Sequence, residues 1–187
     1  MLDKKEFAKI RAELKSNEKK REDAISLSRE AIRMSKLIIY AIHRGDIPKA
    51  GSLMSKIKAM VKKLPSSDCG TGMRNVALQE YVEAASLLSF AKLGKIPSAS
   101  SLGVDTESYL LGLCDLSGEL VRMAVNCSIN EKYDDVFRIK ELVEEIYGEF
   151  LQFDLRGGEL RKKSDQIKWA LQKIEDIVFD IKKIGKI

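Results

Sequence analysis

The amino-acid sequence predicts an all-α protein, an antiparallel bundle of six to seven helices that forms one domain over residues 1–187. Apolar residues recur at three- and four-residue spacing through almost the whole chain, a pattern typical of amphipathic helices. Only three prolines occur (Pro48, Pro65 and Pro97), and there is no internal repeat. This pattern leaves little room for a turn-rich β architecture.

The first half of the chain predicts three helices. The first begins near Phe7 and ends before the break at Gly45. Pro48 suits the first turn of a second helix, which continues to about Leu64. Residues 66–72 form a loop, and the third helix spans residues 73–93, since Gly94 suits its C-terminal end.

The second half predicts three further helices. Asp105 or Thr106 is suited to cap the start of a fourth helix that reaches about Asn126. A fifth runs over residues 133–153. The last begins after the Gly-Gly pair at 157–158 and carries a near-heptad apolar stripe.

Composition excludes several classes of protein. Charged residues make up 33% of the chain and no uncharged apolar run is long enough for a membrane span, so we expect a soluble cytoplasmic protein that does not enter membranes. Cys69, Cys114 and Cys127 form neither CxxC spacing nor an even set, which argues against a zinc site or a disulfide framework. We expect all three to be small buried side chains and the one histidine, His43, to be structural.

The net charge of +5 is unevenly distributed. Residues 1–63 carry +9, residues 64–160 carry −8 and residues 161–187 carry +4. Basic flanks of this kind favour a polyanionic partner, although a solvated helix surface explains them equally well.

Two pairs of carboxylates lie on apolar helix faces rather than opposite them. Glu80 and Glu83 lie between Val76 and Leu87 at steps of four, three and four residues, which is the spacing of a buried seam. Asp115 and Glu119 stack on another predicted helix, followed one turn later by Arg122. Gly112 and Gly118 lie in the same segment and would let a neighbouring helix or a phosphate approach closely.

Burying ionised carboxylates costs several kcal/mol each unless a cation compensates them. A divalent metal would compensate all four, and oxygen-only ligands favour Mg²⁺ or Mn²⁺ over zinc. The alternative is ordinary ion pairing, in which Glu80 and Glu83 form salt bridges and Arg122 pairs with Asp115 or Glu119.

At these residues the sequence resembles the translin superfamily, specifically its translin-associated factor X branch. The segments LQEYVEA (78–84) and YLLGLCDLSGELVRMAVNCSI (109–129) carry the closest resemblance. LSREAIRMSKLIIYAIHR (27–44), YGEFLQFDLRGGELRKKSDQIKW (147–169) and KIEDIVFDI (173–181) support it in the same order. The short chain resembles an archaeal homologue.

The resemblance implies about seven helices, a hollow homo-octamer and binding of single-stranded RNA, with DNA as a further ligand, on the inner surface. It also implies a Mg²⁺-dependent endoribonuclease whose catalytic, metal-binding carboxylates are Glu80, Glu83 and Asp115. Glu119 would be a further metal ligand or would support the ligands, and Arg122 would orient Glu119 or contact the substrate. The alternative function is a non-catalytic nucleic-acid-binding assembly with structural carboxylates.

Two further expectations concern surfaces. Among the basic residues, Lys36, Arg44, Arg161, Lys162 and Lys163 fall in family-like segments and are the candidate RNA contacts, with a solvated helix face as the alternative. Apolar residues on more than one helix face predict surface that one subunit would not hide. Those residues are Leu87, Leu88, Phe90, Phe150, Leu151 and Phe153.

Overall fold

The computed structural model describes residues 2–65 and 70–185, which form seven helices and no strand. The helices are α1 Lys4–His43, α2 Ile47–Val61, α3 Met73–Leu93, α4 Ala99–Leu102, α5 Thr106–Ile129, α6 Tyr133–Phe150 and α7 Gly158–Lys183. The all-α fold class predicted from the sequence is therefore confirmed. Within these residues no helix has the length and apolar character that crossing a membrane requires.

The helix ends follow the predicted signals with few exceptions. Asp105 caps α5 by accepting a hydrogen bond from the backbone N–H of Ser108 at 2.8 Å. The helix α6 ends at Phe150, three residues before the predicted end, because the backbone N–H of Gln152 bonds Glu149 O and closes a tighter final turn. The short helix α4 was not predicted. Of the predicted loop over residues 66–72, residues 66–69, including Cys69, lie outside the described residues.

Helix α1 is the longest element and is only partly packed. Its 40 residues span about 60 Å. Asp3 caps its start by accepting from the backbone N–H of Lys5 at 2.8 Å. Every described residue up to Asp23 is exposed, whereas Ala31, Ile38 and other residues near the C-terminal end are buried. Only the second half of α1 therefore belongs to the bundle.

Helices α3 and α5 form the centre of the bundle. α3 packs against α1, α2 and α5, and α5 packs in addition against α6 and α7. A Cβ atom at Gly112 would lie 2.6 Å from Val82 Cβ and 2.8 Å from the carbonyl oxygen of Gln79. Gly112 therefore lets α5 approach α3 closely, whereas the sequence predicted a close approach of a helix or a phosphate at both Gly112 and Gly118. Gly118 has open space around it instead.

The expected surplus of apolar surface is corrected in part. Four of the six predicted residues are buried within one subunit. Leu87, Leu88 and Phe90 are buried because α3 is covered by α1, α2 and α5, and Phe150 is buried on α6, which packs against α5 and α7. Leu151 and Phe153 are exposed, as predicted, and further exposed apolar side chains include Phe7, Ile10, Leu14, Ile129, Trp169 and Phe179.

Candidate metal and nucleic-acid site

The four predicted carboxylates come together where α3 and α5 meet. Glu80 and Glu83 follow one another on α3, and Asp115 and Glu119 do so on α5. The close approach at Gly112 holds the two helices together one turn before Asp115. Each of the other three carboxylates raises the pKa of Glu83, so Glu83 lies within electrostatic reach of all three. Val76 alone departs from the predicted seam, because it is exposed.

Glu83 is the most buried of the four. Only 9% of its surface is exposed, and among residues 2–65 and 70–185 it has no hydrogen-bond or ion-pair partner. Burial raises the pKa of Glu83 to about 8, with further contributions from Asp115, Glu80 and Glu119. Near neutral pH the Glu83 carboxyl therefore holds a proton in the absence of a metal.

The other three carboxylates each contact a cationic side chain of the protein. Lys163 Nζ, from α7, donates to Asp115 Oδ2 at 2.6 Å and lies 3.5 Å from Gln79 Oε1. Lys36 Nζ, from α1, lies 3.5 Å from Glu80 Oε1. Burial raises the pKa of Glu80, and the nearby Lys36 opposes that shift.

Glu119 is held from two sides. His43 Nε2 lies 2.5 Å from Glu119 Oε2, and Arg122 Nη1 lies 3.6 Å from the same oxygen. The hydrogen bond with His43 is the main reason why the pKa of Glu119 is lowered. Arg122 thus contacts Glu119, one of the two partners that the sequence left open for it.

Sequence reasoning did not connect His43 to the carboxylates. His43 is the last residue of α1, 76 positions away from Glu119 along the chain. Its ring is nearly buried, and its Nδ1 has no hydrogen-bond partner among the described residues. No local sequence signal marks this contact, because it arises only when α1 and α5 both pack against α3.

The predicted nucleic-acid contacts divide into two groups. Lys36 and Lys163 contact carboxylates of the site. Arg44 lies over the ring of Tyr40 at 5.7 Å, Arg161 pairs with Asp165 at 3.4 Å, and Lys162 is exposed. All five remain predicted RNA contacts.

The carboxylates border two adjoining cavities. One, of about 580 Å³, is lined by Glu80, Glu83 and Asp115 together with Lys163 and Trp169. The other, of about 360 Å³, shares Glu80 and Glu83 and opens toward α1. Cys114 also borders the first cavity, but burial raises the pKa of its thiol to about 12, so it is no nucleophile at neutral pH.

The donor set fits a hard divalent cation in its chemistry. It consists of carboxylate oxygens, which hard divalent cations prefer. In the metal-free protein, the ammonium groups of Lys36 and Lys163 and the proton on Glu83 compensate the negative charge. Among the described residues, however, no three His, Cys, Asp or Glu side chains converge as metal ligands. A metal would have to draw these oxygens together and displace Lys163 from Asp115.

The fold and this site define a helical-bundle protein with a cluster of partly or fully buried carboxylates between its two central helices. More particularly, the chain belongs to the translin family, whose model matches residues 19–182. It is 33% identical to an uncharacterized protein of Methanocaldococcus jannaschii, over 84% of this chain and 75% of that protein. It is also 28% identical to translin-associated protein X of Pongo abelii, over 96% of this chain and 78% of that protein.

Solved structures agree with this assignment. Apo-NeC3PO superposes with a TM-score of 0.88 at 27% identity, covering 96% of this chain and 97% of that one. AfC3PO superposes with a TM-score of 0.86 at 26% identity, covering 96% of this chain and 98% of that one. The translin-family membership predicted from the sequence is thereby confirmed.

Proposed function

We propose that this protein is a Mg²⁺-dependent endoribonuclease that acts on single-stranded RNA. The observation that carries the proposal is the group of four carboxylates, one of them buried without an ion-pair partner among the described residues, beside an open cavity. A purely structural role does not explain why the protein retains a buried carboxyl whose ionisation opposes folding. The resemblance to the translin-associated factor X branch supports the same assignment.

Glu80, Glu83 and Asp115 would hold Mg²⁺, or Mn²⁺ in its place. The bound metal would supply a Lewis acid that activates water and neutralises charge at the phosphodiester. Glu119, fixed by His43 and Arg122, would keep a negative charge at the edge of the site at neutral pH, since its pKa is lowered.

Lys163 would bind RNA phosphate once it leaves Asp115. In the metal-free site its ammonium group neutralises Asp115, so it is not free to bind an anion there. If a bound cation neutralised Asp115 instead, the Lys163 ammonium would be free to bind a phosphate beside the same cavity. This would couple metal binding to substrate binding through one side chain.

A cleavage assay tests the proposal. Labelled single-stranded RNA is incubated with the purified protein in Mg²⁺ or in EDTA, and a duplex is included because AfC3PO was also solved in complex with duplex RNA. We expect cleavage of the single strand in Mg²⁺ only. The near-isosteric Glu80→Gln and Asp115→Asn should abolish it, whereas Glu141→Gln, an exposed glutamate on α6, should leave it unchanged. Cleavage by both site variants at the wild-type rate would refute the assignment.

The second candidate is a non-catalytic RNA-binding assembly. It is favoured by the absence of three converging ligands among the described residues and by the short contact between Lys163 and Asp115. Binding of RNA without cleavage in either Mg²⁺ or Mn²⁺ would select this function.

We also propose that the chain assembles into the octamer that the family resemblance implies. Exposed apolar side chains such as Leu14, Ile129 and Leu151 support an assembly, because single subunits rarely leave so many uncovered. Light scattering should give a mass of eight subunits, and the mass of one subunit at micromolar concentration would contradict the proposal.

A further inference from the structure

Trp169 is an exposed aromatic side chain on the wall of the carboxylate cavity. It is the only tryptophan of the chain, and 62% of its surface is exposed. It lines the same cavity as Glu80, Glu83 and Asp115. Lys173, one helical turn further along α7, lines this wall as well. A large indole beside charged groups contributes little to the core, so its placement needs another explanation.

A second exposed aromatic borders the adjoining cavity. Tyr40, on α1, is 53% exposed, and the guanidinium of Arg44 lies over its ring at 5.7 Å. It lines the cavity that shares Glu80 and Glu83 with the first. The carboxylates are thus accessible from two sides, one bordered by the indole of α7 and the other by the phenol ring of α1.

We propose that Trp169 and Tyr40 are stacking platforms for the bases on either side of a phosphate held at this site. The ligand class is a nucleic acid with unpaired bases, because stacking on a side chain requires an exposed base face. In a duplex the neighbouring base pairs cover that face. This inference rests on the proposed function and adds the substrate feature that the site recognises.

The charges of the site give an approaching phosphate little net attraction. The nearest ammonium groups, Lys36 and Lys163, are already engaged with Glu80 and Asp115. Stacking supplies affinity that does not depend on this charge balance, and Lys173 and Arg44 stand beside the two rings to contact flanking phosphates. Because every base has a π face, the recognition would tolerate many sequences.

Trp169 fluorescence reports the proposed contact directly, since the chain has no other tryptophan. The full-length protein is titrated in EDTA with a single-stranded oligoadenylate and, separately, with an abasic oligonucleotide of equal phosphate number. We expect the oligoadenylate to quench the emission and the abasic chain to leave it nearly unchanged. Equal responses to the two oligonucleotides, or none to either, would overturn the role of Trp169.

Variants test both platforms by affinity. Trp169→Ala and Tyr40→Ala should each weaken oligoadenylate binding at least about fivefold, and Trp169→Phe and Tyr40→Phe, which keep a ring, should restore most of it. Phe179→Ala is the matched control, because Phe179 is an equally exposed aromatic of α7 that lines neither cavity. Unchanged affinity in both alanine variants, or equal losses in all three, would refute the proposal.

Failure of this inference is distinguishable from failure of the proposed function. If both alanine variants bind oligoadenylate normally and cleavage still depends on Glu80, the stacking proposal is wrong and the nuclease proposal stands. If quenching depends on the bases but the protein never cleaves RNA, the stacking proposal stands and the nuclease proposal is wrong. If Trp169→Ala instead changes the mass measured by light scattering, and wild-type emission ignores the oligoadenylate, Trp169 is a contact between copies and the inference is wrong.

Discussion

Glu83→Gln should stabilise the metal-free protein, and the gain should depend on pH. Glu83 is buried, and burial together with Asp115, Glu80 and Glu119 raises its pKa from the ordinary 4.5 to about 8. Between these two pH values the folded state binds the Glu83 proton and the unfolded state has released it. Stability therefore falls as pH rises from 4.5 to about 8, and glutamine, which does not titrate, escapes this loss.

The magnitude follows from the two pKa values. Each pH unit between them costs about 1.4 kcal/mol of the free energy of unfolding. The interval from 4.5 to about 8 therefore corresponds to a gain of up to about 5 kcal/mol for the variant above pH 8, and to almost none below pH 4.5.

Urea denaturation in EDTA over this pH range measures the effect. The difference in unfolding free energy between Glu83→Gln and wild type should grow with pH, while Glu141→Gln, which changes an exposed glutamate, should show no comparable trend. Mg²⁺ should narrow the difference, because only the wild type offers it the Glu83 carboxylate. A difference that does not change with pH would refute the account of Glu83 as a buried carboxyl without a counter-charge.

Three further predictions concern packing and charge. Gly112→Ala should lower the free energy of unfolding by about 1–3 kcal/mol, because the added Cβ would lie 2.6 Å from Val82 of α3. Gly118→Ala should raise the free energy of unfolding by about 0.5–1 kcal/mol, because a Cβ there meets open space. Urea denaturation of both variants measures the two effects, and equal effects would contradict the prediction. Lys163→Met should lower the melting temperature in EDTA and increase the stabilisation by Mg²⁺, because it removes the ammonium group that pairs with Asp115. Thermal melts with and without Mg²⁺ measure both effects, and an unchanged response to Mg²⁺ would contradict the prediction. Charge reversal of Arg161 and Lys162 to Glu should weaken RNA binding and reduce the log–log salt slope by about 0.7 for each lost phosphate contact; an unchanged slope in filter-binding titrations would place the RNA elsewhere.

Local sequence signals were sufficient for most of the fold. Helix α3 has the bounds that its apolar period and Gly94 predicted, and α5 begins at the predicted cap. Signals of this kind act within one or two helical turns, so the helix ends that they specify depend little on tertiary packing. The predicted end of α6 was three residues too late, and α4 was not predicted. Both involve only a few residues, where individual hydrogen bonds outweigh a weak apolar period.

The sequence by itself also determined which carboxylates share a helix face, since spacings of three and four residues fix neighbours on any helix. It did not determine what those carboxylates contact. Lys163 reaches Asp115 across 48 residues, and His43 reaches Glu119 across 76. Such contacts depend on the angle and distance at which helices pack, here of α7 against α5 and of α1 and α5 against α3. Helical period specifies a face, but only the packed bundle decides which cation, proton or aromatic ring that face meets.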